Sequence, residues 1–383
     1  MSKRQSRIEK VIAELCPEGV EFKELGEVVK ILDSQRKPVT KSQRTGGEYP
    51  YYGANGIQDY VDDYIFDGTF ILLGEDGSVI NKDGSPVLNW AIGKIWVNNH
   101  AHILAEKSEI ALLRYVYFAL SVIDVTKVVK GNIPKITQQN LRHFLIPVPP
   151  LAIQQEIVKI LDTFTTLEAE LEAELEARKK QYEYYRDELL TFGEDACLPD
   201  RQVAWKTLGE VATNLDSKRK PVTKSNRKEG EYPYYGASGI VDYVNDYIFD
   251  GDYLLVSEDG ANLLARVTPI AFSASGKIWV NNHAHVLEFE TYVEKKFVEY
   301  YLNMIDLSRF ISTAAQPKLT QNNLNKIPIP VPPIAEQERI VAILDKFDAL
   351  VNDISVGLPA ELHARRKQYE YYRGKLLTFK EKI

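Results

Sequence analysis

Between Leu151 and Phe192 the chain contains neither proline nor glycine, and Ile153, Ile157, Ile160, Phe164, Leu167 and Leu171 recur by fours and threes. That spacing predicts a helix with one apolar stripe, about 42 residues and about 63 Å long at 1.5 Å per residue. Ile340, Ile343, Phe347, Leu350 and Ile354 begin a second such stretch, which meets Gly357-Leu358-Pro359, where a kink or a restart is expected. Two one-sided helices bury their stripes most simply on each other, as an antiparallel pair. Elsewhere the apolar positions form short β-rich runs, Tyr64-Ile65-Phe66, Phe70-Ile71-Leu72-Leu73 and Lys94-Ile95-Trp96-Val97, punctuated by Gly53, Gly56, Gly68, Gly74 and Gly77. These runs close on Ile146-Pro147-Val148-Pro149-Pro150 and Ile329-Pro330-Val331-Pro332-Pro333, where proline stops sheet pairing and can open a helix.

The pattern occurs twice. Glu48-Tyr49-Pro50-Tyr51-Tyr52-Gly53-Ala54 returns from Glu231, and Gly93-Lys94-Ile95-Trp96-Val97-Asn98-Asn99-His100-Ala101-His102 returns from Gly276, at one offset of 183 (231 − 48 = 276 − 93). A repeat of this length is a domain plus its connector, so two halves of like fold about a pseudo-two-fold axis are expected. The predicted order is an N-terminal helix (1–22), a strand-rich domain (23–150), a long helix (151–198), a second strand-rich domain (199–333) and a C-terminal long helix (334–383). The offset slips once, to 187, at Ala177-Arg178-Lys179-Lys180-Gln181-Tyr182-Glu183-Tyr184-Tyr185-Arg186 and its copy from Ala364 (364 − 177). The first helix carries Leu-Glu-Ala-Glu units over 167–175, and one further unit would lengthen it by about 6 Å.

Composition adds direction. With 383 residues the chain exceeds what one core serves. Its net charge of −7 by itself argues against nucleic acid, but the charge is divided. Acid concentrates in 168–176, whereas base gathers at Arg36-Lys37, Lys41 and Arg44 and again at Lys218-Arg219-Lys220, Lys224 and Arg227-Lys228. No long apolar run and no apolar signal segment follows Met1, and Cys16 and Cys197 have nothing metal-like around them, so a cytoplasmic chain without disulfides or membrane is expected.

Catalytic signatures are missing. Ser275-Gly276-Lys277 lacks the earlier glycine of a phosphate-binding loop, and no Asp-Pro-Pro-Tyr-like segment or Gly-x-Ser-x-Gly elbow is present. His100-x-His102 and His283-x-His285 could offer two ligands on one strand face, yet no cysteine or third histidine recurs in both copies; polar packing or nucleic-acid contact is the expectation, and no metal. Glu75-Asp76-Gly77 and Glu258-Asp259-Gly260 read as turns rather than as catalytic carboxylate pairs.

Tyr-Pro-Tyr-Tyr-Gly-Ala, Gln316-Pro317-Lys318-Leu319-Thr320, Ile-Pro-Val-Pro-Pro and the Arg-Lys-Lys-Gln-Tyr-Glu-Tyr-Tyr-Arg helix end, in this order and largely twice over, resemble the specificity subunit of type I restriction-modification enzymes. The resemblance implies an α+β fold in which two target recognition domains, separated by two long antiparallel helices in a circular tandem repeat, each read half of a split double-stranded DNA site. It implies no catalysis and no bound cofactor in this chain. Two methyltransferase subunits, carrying S-adenosylmethionine, would dock on the helices and domains, and restriction subunits using ATP and Mg would complete the nuclease. Two other classes stay open: a coiled-coil scaffold with protein-binding domains, and a stand-alone DNA nuclease or methyltransferase.

Candidate DNA contacts follow. Arg36, Lys37, Lys41 and Arg44, with Arg219, Lys220, Lys224 and Arg227, suit phosphates, which position without specifying sequence. Tyr51, Tyr52 and Asn55, with Tyr234, Tyr235 and Ser238, lie in a glycine-bounded loop that either reads DNA or is a core tyrosine followed by a turn. Lys94 and Lys277, and Lys135 and Lys318 in a second basic loop, complete the set. Base reading is expected where the copies differ, at 78–92 against 261–275 and at 105–132 against 288–315. The likeness of the two domains predicts related, inverted half-sites.

Overall fold

The structure, a computed structural model, describes residues 10, 12, 14–107, 109–129, 134–192, 203–312 and 316–382. Its contacts divide the chain into two compact units, residues 1–172 with 361–383, and residues 173–360.

The first unit begins with helical Lys10, Ile12, Glu14 and Leu15; the other residues of 1–15 in the predicted 1–22 helix lie outside the described residues. Pro17 follows and the chain is already a strand at Glu21, so the expected helix does not reach residue 22. The elements then run β1 (Glu21–Glu24), α1 (Leu25–Val28), β2 (Val29–Ile31), β3 (Gly46–Gly53), β4 (Gly56–Val61), β5 (Phe66–Gly74), β6 (Leu88–Val97), β7 (Ala101–Glu106), α2 (Leu113–Leu120), α3 (Gln138–Arg142), β8 (Leu145–Val148) and α4 (Leu151–Leu190). Six strands form one sheet in the order β2-β7-β5-β6-β3-β4, with β3 and β6 parallel, and β1 pairs with β8 in a separate ribbon. Pro147 sits in that two-stranded ribbon, where every strand is an edge and a missing N–H is tolerated. Tyr64 and Ile65 fall before β5, not in it.

β9 (Ala204–Thr207), α5 (Leu208–Val211), β10 (Thr213–Asn214), β11 (Glu229–Gly236), β12 (Gly239–Val244), β13 (Phe249–Ser257), α6 (Asn262–Ala265), β14 (Ala271–Val280), β15 (Ala284–Glu288), α7 (Tyr292–Met304), α8 (Gln321–Asn325) and β16 (Pro328–Val331) repeat the plan. The sheet order β10-β15-β13-β14-β11-β12 and the ribbon of β16 with β9 reproduce those of the first copy. The duplicated text is therefore a duplicated topology. The copies part where their sequences do: Asn262–Ala265 forms a helical turn, closed by Arg266 at φ +50°, whereas the first copy has an irregular segment bridged by Ile80 and Pro86.

The long helix α4 is continuous for 40 residues. The second stretch is two helices, α9 (Ile334–Val351) and α10 (Leu358–Leu377), restarting beside Gly357 as the sequence predicts. Helices pair within each unit. In the first, Phe164 of α4 stacks on Tyr372 at 5.5 Å and touches Tyr369 at 6.2 Å, while Arg366 binds Glu168 and Glu172. In the second, Phe347 of α9 stacks on Tyr185 at 5.6 Å and touches Tyr182 at 6.3 Å. The first and last tyrosines of Tyr-Glu-Tyr-Tyr stand three residues apart on one helix face, which is why both grip one phenylalanine. In the first unit the partners run in opposite directions, so the pairing there is antiparallel. Ile12, Cys16, Leu376, Leu377 and Phe379 share the core of the first unit, where Val20 and Lys380 also bond, joining the two ends of the chain.

Candidate nucleic-acid interface

A buried charge cluster organises the basic loop of each unit. In the first, Asp33 opens a short turn after β2, and its carboxylate receives His102 Nδ1 at 2.6 Å, the Ile103 N–H at 3.0 Å and Gln138 Nε2 at 3.1 Å. His102 Nε2 meets the Ile136 carbonyl at 2.8 Å. Arg36 donates to Glu75 Oε2 at 2.6 Å, to the Ala101 carbonyl at 2.9 Å and to the Asp33 carbonyl at 3.0 Å. Lys135 reaches Glu75 Oε1 at 3.1 Å. Asp216, His285, Arg219, Glu258 and Lys318 repeat the cluster, with 2.6 Å for histidine to aspartate and 2.6 Å for arginine to glutamate. Burial of Asp33 would by itself raise its pKa, but the hydrogen bond and charge of His102, the Ile103 N–H and Arg36 outweigh it and hold the carboxyl below its ordinary value; Asp216 behaves alike.

From this foundation the loop is pinned at three further points. Trp96 donates its indole N–H to the Lys37 carbonyl at 2.6 Å. The Tyr51 hydroxyl receives the Val39 N–H at 3.0 Å and meets the Val39 carbonyl at 3.2 Å. Arg44 lies 4.0 Å over the Tyr51 ring, donates to Val39 at 3.1 Å and pairs with Asp59 at 3.2 Å. Trp279 to Lys220, Tyr234 to Val222, and Arg227 to Val222 and Asp242 do the same in the second unit. A loop whose backbone is fixed at 33, 36, 37, 39 and 44 presents its remaining side chains with little entropy left to lose.

The predicted contacts separate accordingly. Lys37, Lys41, Lys220 and Lys224 are exposed on the pinned loops, and Asn55 and Ser238 are exposed at the tips of the β3–β4 and β11–β12 hairpins. The side chains of Arg36 and Arg219, expected to meet phosphate, are 13 % and 12 % exposed, and their guanidinium groups bind carboxylates and carbonyls that support the loop. Arg44 and Arg227 are likewise committed to aspartate and tyrosine. Tyr51 and Tyr234, each 1 % exposed, are core tyrosines that hold the loop from below. Tyr52 and Tyr235 are half-buried, the latter stacked on Phe272. Lys94 stands 4.6 Å over the Tyr64 ring and Lys277 4.7 Å over Tyr247, exposed ammoniums steadied by aromatic faces. Lys135 and Lys318 are exposed but paired to Glu75 and Glu258.

Three partners were not singled out as functional in the sequence: Trp96 with Trp279, Asp33 with Asp216, and Glu75 with Glu258 as ion-pair centres. Each recurs at the 183 offset, which was the available signal. Asp33, Glu75 and His102 come close enough to hold a metal ion, as do Asp216, Glu258 and His285. The residues do not fit one: both histidine nitrogens face oxygen atoms and the arginine binds the carboxylates. His100 and His283 pair with Asp76 and Asp259, so the two histidines of each pair serve different acids.

A family profile described as type I restriction modification DNA specificity domain matches residues 17–177 and again 202–364. The chain belongs to that family. A protein of Haemophilus influenzae named as a type I restriction enzyme specificity subunit is 35 % identical over 386 residues, covering 94 % of this chain and 96 % of the relative. The specificity subunit of the Escherichia coli EcoR124I/EcoR124II type I restriction enzyme is 36 % identical over 301 residues, 70 % of this chain and 71 % of that one. In fold, the chain is similar to the S subunit of a type I restriction-modification system from M. genitalium, with a TM-score of 0.65 and 19 % identity across 94 % of this chain and 96 % of that one. Two matched segments in one chain are the duplication seen in the repeats. No helix among the described residues is long and apolar enough to cross a membrane.

Proposed function

We propose that the chain is the DNA-reading subunit of a type I restriction-modification complex and that each unit addresses one half of a split target through its pinned basic loop. The observation that carries this is the duplicated clamp itself: membership of the specificity family together with two identically anchored loops, each presenting paired lysines, Lys37 with Lys41 and Lys220 with Lys224. Lysines on a fixed backbone neutralise phosphates and set register, while base contacts are assigned to the segments that differ between the copies, 78–92 with 261–275 and 105–132 with 288–315.

The chemistry belongs to partners in this reading. Two methyltransferase subunits using S-adenosylmethionine, and restriction subunits using ATP and Mg, assemble on this chain, whose family role supplies no reaction. The common topology of the two units supports related half-sites in inverted sense. Methylome sequencing of cells with and without this chain tests both points. A bipartite motif present only with the chain, with two similar arms, is expected; loss of no motif overturns the reader, and two unrelated arms overturn the relation between half-sites.

A further inference from the structure

The second unit contains an open groove of about 550 Å³ between the C-terminal end of α5, the start of α7, β16 and Gln337 of α9. In the first unit a lysine is seated at the same place. Lys107 lies five residues beyond His102 and seats its ammonium on the Gly26 and Glu27 carbonyls at 3.1 and 3.0 Å. Five residues beyond His285 the second unit has Glu290 instead, while Gly209 and Glu210, the copies of Gly26 and Glu27, line the open groove.

Other occupants of the first site are withdrawn as well. There Gln154 Oε1 accepts the Leu112 N–H at 2.9 Å, and the buried Tyr115 hydroxyl donates to Pro147 at 2.9 Å. In the second unit α7 starts earlier than α2, Phe297 and Pro330 both line the groove, and Gln337 gives its amide to the Pro332 carbonyl at 2.9 Å. Gln337 is 5 % exposed and lines the groove. Glu288 and Glu290 are exposed and take no ion pair among the described residues; Glu294 is held by Thr291, and Lys206 stands on the lining.

We infer that this groove receives a lysine or arginine side chain from the docked methyltransferase subunit, in the seat that Lys107 fills in the first unit. Two exposed carboxylates, Glu288 and Glu290, on a groove lined by the copies of the residues whose carbonyls hold Lys107 suit a cation, and DNA phosphate is repelled by them. A cavity of several hundred Å³ also admits the residues flanking one basic side chain. The asymmetry is then functional: one unit is self-sealed, and the other is completed by its partner.

The inference rests on the reading of the chain as a specificity subunit, and its test separates the two. The full chain is assembled with a type I methyltransferase subunit from the same genome, treated with a water-soluble carbodiimide, and digested for mass spectrometry. Expected are links from Glu288, Glu290 or Glu294 to a methyltransferase lysine, or, where the seat holds arginine, protection of these carboxylates from amidation by added glycine ethyl ester. Glu290→Lys, which supplies the second unit with its own cation, is expected to weaken one of the two methyltransferase binding steps about tenfold, and Glu290→Gln about threefold, with the melting temperature unchanged. Folded variants that bind both copies as the wild type does, with carboxylates neither linked nor protected, overturn the inference. Failure of the wild-type chain to bind the methyltransferase at all overturns the broader reading instead.

Discussion

Trp96 and Lys37 are joined by a hydrogen bond from the indole N–H to the backbone carbonyl, 2.6 Å long, and Trp279 and Lys220 are joined in the same way at 2.7 Å. The bond fixes the carbonyl of the lysine whose ammonium stands exposed, so it aims a side chain without touching it. Trp96→Phe with Trp279→Phe keeps most of the packing and removes both bonds, at about 1 kcal/mol each. The expected result is DNA binding by the assembled complex weakened several-fold with its salt dependence unchanged, measured by fluorescence anisotropy across a salt series. A shallower salt slope would show instead that phosphate contacts themselves had been lost.

Lys37→Ala with Lys220→Ala acts on the other term. Each phosphate contact contributes about 0.9 to the slope of log K against log salt, so the double variant is expected to flatten it by about 2. Arg36→Ala is expected to behave differently, because the guanidinium binds Glu75 and three carbonyls, those of Asp33, Asn99 and Ala101: thermal stability falls, and the exposed lysines lose their footing together.

Asp33 supplies a pH dependence whose sign is set by its depressed carboxyl. Its folded value lies below the ordinary 3.8, so the stabilisation from the ionised form is complete above about pH 4 and drains away as pH falls through the folded value. Asp33→Asn leaves Arg36 short of a buried counter-charge and His102 Nδ1 without its carboxylate, and is expected to cost about 3 kcal/mol near neutrality. Urea unfolding should show that gap between wild type and variant narrowing at about pH 3. A gap independent of pH would mean that shape, not charge, is what the asparagine disturbs.

The Leu-Glu-Ala-Glu stretch of α4 carries a length prediction. Inserting one four-residue unit after Glu172 lengthens the helix by about 6 Å, against about 3.4 Å for a base-pair step. The methylated motif is expected to keep both arms and to gain one or two base pairs between them, read by methylome sequencing. An unchanged gap sinks the idea that this helix measures the spacer.

Clamp and contact were hard to tell apart in the linear chain. Arg36 and Lys37 are neighbours of like charge, yet one is drawn inward by Glu75, which is 39 positions away, and the other is left outside. Tyr51 and Tyr52 divide in the same way, because adjacent side chains of a strand point to opposite faces. The restart near Gly357 was legible, since proline and glycine act through their own backbone.

Local rules therefore carried the duplication, the helical stripes and the places where strands end, all of which depend on residues near one another in the chain. Which lysines face solvent, which arginines are consumed, and which carbonyls Lys107 finds were decided by tertiary structure. Those outcomes depend on ion pairs and burial among residues tens of positions apart, where a charge is held by the nearest counter-charge and not by its neighbour in sequence.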